Sequence, residues 1–188
     1  LAVTLHNIPE GMAVGAVNGS GMPVVFPPSV DTFTAVPAEP EQETESGGTL
    51  GYTPVASDLY YSGGYLGTLK IPAIGLSVRV YEGTDSSTLM KGAGHFKGTS
   101  IWDGNCAIAG HNRGVRDDFG DLHTLERGDT ITWTTKLGVR TYEVTSVQKV
   151  KETDTSGTAP STENMLTLYT CVRNQRDYRW QVQAVEVV

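Results

Sequence analysis

Met165-Leu166-Thr167-Leu168-Tyr169-Thr170-Cys171 decides the fold: six residues of strand-forming type run into a cysteine, and the polar sequence Val172-Arg173-Asn174-Gln175 follows at once. Leu, Tyr and Thr in such a run suit a pleated, packed surface. The cysteine then stands where a strand gives way to a loop. Beyond a short connection, Arg179 to Val187 alternates polar and apolar residues as a strand does, so that Arg179 and Trp180 point to opposite faces. Upstream, the polar stretch Lys151 to Asn164, with Gly157 and Pro160, reads as a loop. Before it, Thr130 to Thr135, a turn at Lys136-Leu137-Gly138 and Val139 to Val150 read as a β-hairpin.

Further back, Ile101 to Ala109 contains the apolar strand Cys106-Ala107-Ile108-Ala109, which ends at Gly110-His111-Asn112, and Phe119 to Leu125 reads as a helical turn. Leu69-Lys70-Ile71, a turn over Pro72 to Gly75, and the alternating Leu76 to Tyr81 form two more strands. A short helix follows, capped by Asp85 or Ser86, with Leu89 and Met90 toward the core and Gly92 at its end. Seven or eight strands with little helix imply an all-β protein, a closed or nearly closed β-barrel with short helical turns, over residues 65–188.

Residues 1–64 differ in kind. They are rich in Gly, Pro, Ser and Thr and carry the alternating acidic stretch Glu39-Pro40-Glu41-Gln42-Glu43-Thr44-Glu45, a composition that buries too little apolar surface to offset the entropy of ordering. They read as an extended, mostly irregular N-terminal arm or membrane-proximal tether. The net charge of -7 resides in this part of the chain: residues 1–68 hold seven acids and no Lys or Arg, and the remainder balances 14 basic against 14 acidic side chains. No basic stripe of the kind that neutralises phosphates results, which argues against nucleic acid as a partner. No apolar run approaches the roughly 20 residues that span a bilayer.

Two cysteines, Cys106 and Cys171, are too few for a disulfide scaffold and lack the spacing of a zinc site, although one bridge is possible by count. The contexts suggest a division: Cys106, mid-strand among Ala and Ile, is inert core, and Cys171 is the reactive thiol. A cysteine nucleophile needs a thiolate, a proton donor for the leaving group and preorganised positive charge at the oxyanion. His111, at a strand end, and Arg179, opening the last strand, are the candidates to supply them. His95, His123 and His6 read as surface or packing residues, and Arg173 and Arg176 as residues of the connecting loop.

Three motifs in this order, Leu166 to Cys171, Ala109-Gly110-His111 and Arg179 to Ala184, resemble the signature strands of the sortase family. Leu69-Lys70-Ile71-Pro72 resembles its opening strand, and Gly92 to Thr99 the loop before the histidine strand. The resemblance covers roughly Leu69 to Val188. It implies a cysteine transpeptidase on the outer face of the membrane or in the cell wall of Gram-positive bacteria, membrane-anchored through a segment outside these residues. Cys171 is then the nucleophile, His111 its proton partner and Arg179 the stabiliser, and Thr170 either helps to place the substrate or is simply a strand residue. The implied partners are a sorting-signal peptide of the LPxTG type and a peptidoglycan or pilin amine, with no cofactor and no metal. Glu152, Asp154 and Glu163 are acids flanking the groove but match no calcium pattern of the family. The modest loops leave no room for the inserted helix of class B, and class D is the nearest match.

Two segments of the arm carry resemblances of their own. Leu5 to Gly15 resembles a metal-binding helix of ZIP-family zinc transporters over one short stretch, and Asp31-Thr32-Phe33 resembles the lid motif of pilin sortases, which has proline where Thr32 stands. Two competing readings remain open in the sequence. Cys171-Val172-Arg173 resembles the cysteine step of L,D-transpeptidases, although Tyr169-Thr170 replaces the His-Gly of that family, and a Cys106–Cys171 disulfide would make a non-catalytic β-barrel surface module.

Overall fold

The computed structural model describes residues 49–188. The acidic stretch, the transporter-like segment with His6, and Asp31-Thr32-Phe33 lie outside the described residues. The described end of the expected arm packs on the barrel. Gly51 pairs with Ser161, Thr53 O accepts from Ile101 N at 2.9 Å, and Leu59 enters the core.

Among the described residues eight strands close into a barrel: β1 (Gly67–Ile71), β2 (Leu76–Glu82), β3 (Ala93–His95), β4 (Asn105–Ala109), β5 (Thr130–Thr135), β6 (Gly138–Lys151), β7 (Met165–Val172) and β8 (Gln175–Glu186), in the spatial order β1-β2-β3-β4-β7-β8-β6-β5. Closure leaves no open sheet edge. Most neighbours are antiparallel, but β2–β3 and β4–β7 run parallel. The expected all-β barrel is therefore present, with one short helix, α1 (Ser86–Leu89). Its cap is Asp85, whose carboxylate accepts from Thr88 N at 3.1 Å, while Met90, expected to face the core, is exposed.

The alternation of side chains across β4 and β7 makes two apolar layers. Cys106, Ile108, Leu166 and Leu168 fill the barrel interior together with Leu69, Val80, Trp133 and Val182. Ala107, Ala109, Tyr169 and Cys171 form a second cluster on the outer face, under Phe96. Both layers are buried, which is why these strands read as continuous apolar runs. Truncating an interior member such as Leu168 to alanine costs about 2–5 kcal/mol.

Strand limits shift near the site. β4 begins at Asn105, one residue before the expected Cys106, after a bend over residues 101–104 where Ile101 N donates to Thr53 O. β8 begins at Gln175, not Arg179, so Arg176 belongs to the strand and the connection to β7 is the two-residue turn Arg173-Asn174, with Asn174 at φ 62°. Asparagine tolerates this left-handed conformation better than most residues.

Candidate active site

The parallel pairing of β4 with β7 places Ala109 beside Tyr169, and the ladder continues past the end of β4. Gly110 N donates to Tyr169 O at 3.0 Å, Thr170 Oγ1 donates to Gly110 O at 2.7 Å, and Asn112 Nδ2 donates to Cys171 O. Both residues flanking His111 are thus fastened to β7 at Tyr169, Thr170 and Cys171, and the His111 backbone passes alongside Cys171. Gly110 is required here. A Cβ on it would stand 2.6 Å from the Phe119 ring, and Phe119 N in turn bonds His111 O at 2.8 Å, closing the loop that leaves the histidine.

Cys171 pairs directly with Arg179 across the β7–β8 hairpin. Residues directly opposite on antiparallel strands point to the same face with Cβ atoms about 4.5–5.5 Å apart. The thiol and the guanidinium therefore start from neighbouring positions on the outer face. The pairing is produced by an irregularity: Val172 pairs with Gln175, so Arg176, Asp177 and Tyr178 have no counterpart on β7 and arch outward. Arg179 fills the arch. Nη1 donates to Arg176 O at 2.6 Å and to Tyr178 O at 2.8 Å, and Nη2 pairs with Glu152 Oε2 at 3.0 Å. Trp180 takes the other face, where its ring stacks on His123 with centroids 5.7 Å apart.

The two cysteines lie in different layers, and neither is in a disulfide. The disulfide-bonded module is therefore not the structure formed. Arg173, the arginine of the L,D-transpeptidase reading, instead ties down the loop after His111, with Nε donating to Asn112 O at 3.0 Å and Nη2 reaching Asp117 at 2.9 Å. Beside this loop a pocket of about 190 Å³ is lined by Asn112, Gly120, His123, Val172, Arg173 and Trp180.

The floor next to Cys171 is shaped by Tyr169. Phe96 meets its ring edge-on at 5.7 Å, Gln181 Nε2 donates to its hydroxyl at 2.6 Å, and burial pushes its phenol up to about 12, so it stays neutral. The β6–β7 loop folds over this floor. Asn105 Nδ2 donates to Gly157 O at 2.8 Å and Ala159 O at 2.9 Å, and a Cβ at Gly157 would collide with Tyr169 and Gln181. Among the described residues no group of three or more His, Cys, Asp or Glu side chains is placed to hold a metal ion. Of the acids considered for calcium, Glu152 pairs with Arg179 and Asp154 accepts from Ser156 N at 3.0 Å.

His95 proves to be a packing residue, fully buried. Nδ1 lies 2.7 Å from the Glu82 carboxylate and Nε2 3.1 Å from Ser100 O, two acceptors that call for both ring protons. Burial alone would lower its pKa, but hydrogen bonding and charge from Cys106 and Glu82 outweigh burial and raise it to about 10. Glu152, Asn105 and Gly157 are the residues near the site that the sequence did not single out for these contacts. Each acts on a partner far along the chain, and no local pattern announces it.

Residues 69–187 match the Sortase domain family, and the chain belongs to the sortase family. It is 28% identical to Sortase A of Listeria monocytogenes over 110 residues, 56% of this chain and 49% of that protein. It is 36% identical to Sortase D of Bacillus subtilis over 92 residues, 48% of this chain and 45% of that protein. The chain thus spans about half the length of the curated relatives it matches. Among solved structures, Sortase A from Corynebacterium diphtheriae superposes with a TM-score of 0.63 at 29% identity, covering 66% of this chain and 61% of that one.

Proposed function

We propose that this protein is a cysteine transpeptidase that cleaves an LPxTG-like sorting signal and transfers the released acyl group to a cell-wall or pilin amine. The observation that carries the reading is the pairing of Cys171 with Arg179 on one face, with the His111 backbone fastened alongside. Membership of the sortase family supports the same assignment.

In this reading the Cys171 thiolate attacks the Thr carbonyl of the sorting signal, and Arg179 stabilises the oxyanion. The C–N bond breaks, His111 protonates the departing amine, and a thioester on Cys171 remains. An incoming amine attacks that thioester, His111 removes its proton, and the thiolate is regenerated. The thioester retains the acyl group in reactive form, so the exchange needs no nucleotide. Thr170, whose hydroxyl bonds Gly110 O, serves by holding the backbone before His111 and so placing the substrate indirectly.

The compact β6–β7 loop and the 36% identity to Sortase D favour a class D-like enzyme. The acidic residues before the segment packed on the barrel are then a tether on the outer side of the membrane. Incubation with a panel of fluorogenic sorting peptides and an amine acceptor tests the reading, with Cys171→Ala as control. Cleavage of at least one peptide, abolished in the control, is expected; cleavage that persists in Cys171→Ala contradicts it.

A further inference from the structure

Arg179 is only 3% exposed, yet it carries a full charge, and the way that charge is held is specific. Of its five N–H donors, two on Nη1 go to the Arg176 and Tyr178 carbonyls and one on Nη2 goes to Glu152. Nε is buried and has no hydrogen-bond partner among the described residues. A buried donor without an acceptor is costly unless one arrives. Glu152 meets this arrangement twice. Its carboxylate takes Nη2, and its own N–H donates at 2.8 Å to Asp177 O, inside the arch that the guanidinium fills. It also stands one residue beyond β6, at the root of the loop that covers the groove floor.

We propose that Glu152 is the positioning residue for Arg179: it clamps one edge of the guanidinium and the arch behind it, so that Nε is the donor kept for a substrate carbonyl oxygen at Cys171. This rests on the reading of Cys171 and Arg179 as catalytic residues. The two carbonyls fix Nη1 but carry no net charge, and Glu152 is the hydrogen-bonded neighbour of Arg179 that supplies the balancing charge. Without it, the guanidinium has a reason to leave its buried seat for solvent. A displacement of about 1 Å at a catalytic group lowers rate by about a hundredfold. Because Glu152 itself touches no substrate in this account, its loss acts on kcat more than on KM.

The test compares wild type with Glu152→Ala, Glu152→Gln, Glu152→Asp, Arg179→Ala and the double variant Glu152→Ala/Arg179→Ala, using a fluorogenic Leu-Pro-Xaa-Thr-Gly peptide and melting curves of each protein. Glu152→Ala and Glu152→Gln are expected to lose about ten- to a hundredfold in kcat with KM within about threefold, and Glu152→Asp to recover part of the loss. In the Arg179→Ala background, removing Glu152 is expected to cost nothing further. If Glu152→Ala fails to fold, the isosteric Glu152→Gln carries the comparison. Activity of the Glu152 variants equal to or above wild type, with Arg179→Ala inactive, overturns the inference alone, and an increase would identify the pair as an inhibitory latch. An equal loss in both backgrounds overturns it as well. An Arg179→Ala protein as active as wild type sinks the catalytic reading, and the inference with it.

Discussion

At the scale of single residues, small groups are placed by contacts they do not make themselves. Gly110 illustrates this, since the Phe119 ring occupies the space its Cβ would need and His111 follows directly. Gly110→Ala is expected to lower the melting temperature and, by displacing the His111 backbone, to reduce peptide cleavage by more than tenfold; parallel melts and rate assays check both. His95 shows the converse, a charged group wholly enclosed. Its folded pKa, about 10, lies above the ordinary value near 6.5, so the ion pair with Glu82 contributes stability fully below about pH 6.5 and loses it as pH rises through about 10. Melting temperature measured across this window is expected to fall for wild type and to change less for His95→Gln. Equal slopes would remove His95 from the account.

At the scale of elements, the β7–β8 hairpin and the β6–β7 loop set the geometry of the site. The two-residue turn depends on Asn174 at φ 62°, so Asn174→Val is expected to cost about 1–2 kcal/mol in denaturant melts and Asn174→Gly to be tolerated. Asn105→Ala removes both hydrogen bonds to the loop carbonyls of Gly157 and Ala159 and leaves the buried Thr167 hydroxyl without its acceptor. A loss of about 2–4 kcal/mol is expected, with faster proteolysis between residues 152 and 164. These elements also show what the sequence reveals. The strand ending at Cys171, the glycine and histidine after β4, and the order of Cys171 before Arg179 are legible because alternation, turn residues and motif order are local signals. The outward arch of Arg176 to Tyr178 is not. It arises from a mismatch between two strands, and only the register shows that these three residues have no counterpart on β7. The enclosure of His95, and the reach of Glu152 to Arg179 and of Asn105 to Gly157, belong to the same class of contacts, fixed by closure of the barrel.

At the scale of the whole molecule, closure of eight strands brings the ends of β4, β7 and β8 together, and the proposed chemistry depends on that meeting. The interior layer carries stability. The outer layer, which includes Cys171, forms the floor on which a peptide would lie beneath the β6–β7 loop. The two cysteines are separated between these layers, Cys106 in the interior and Cys171 outside it, so the proposed reaction has one sulfur on the groove side. The central claim is that Cys171 itself becomes acylated, with Arg179 required for the step. The most direct measurement is the intact mass of the protein, quenched in acid during turnover of a sorting peptide, followed by mapping of the modified site. The account predicts an acyl adduct on Cys171 that a nucleophilic amine removes, that is absent in Cys171→Ala and sharply reduced in Arg179→Ala. An adduct on Cys106, or steady cleavage with no adduct on Cys171 even when the acceptor is withheld, would contradict it.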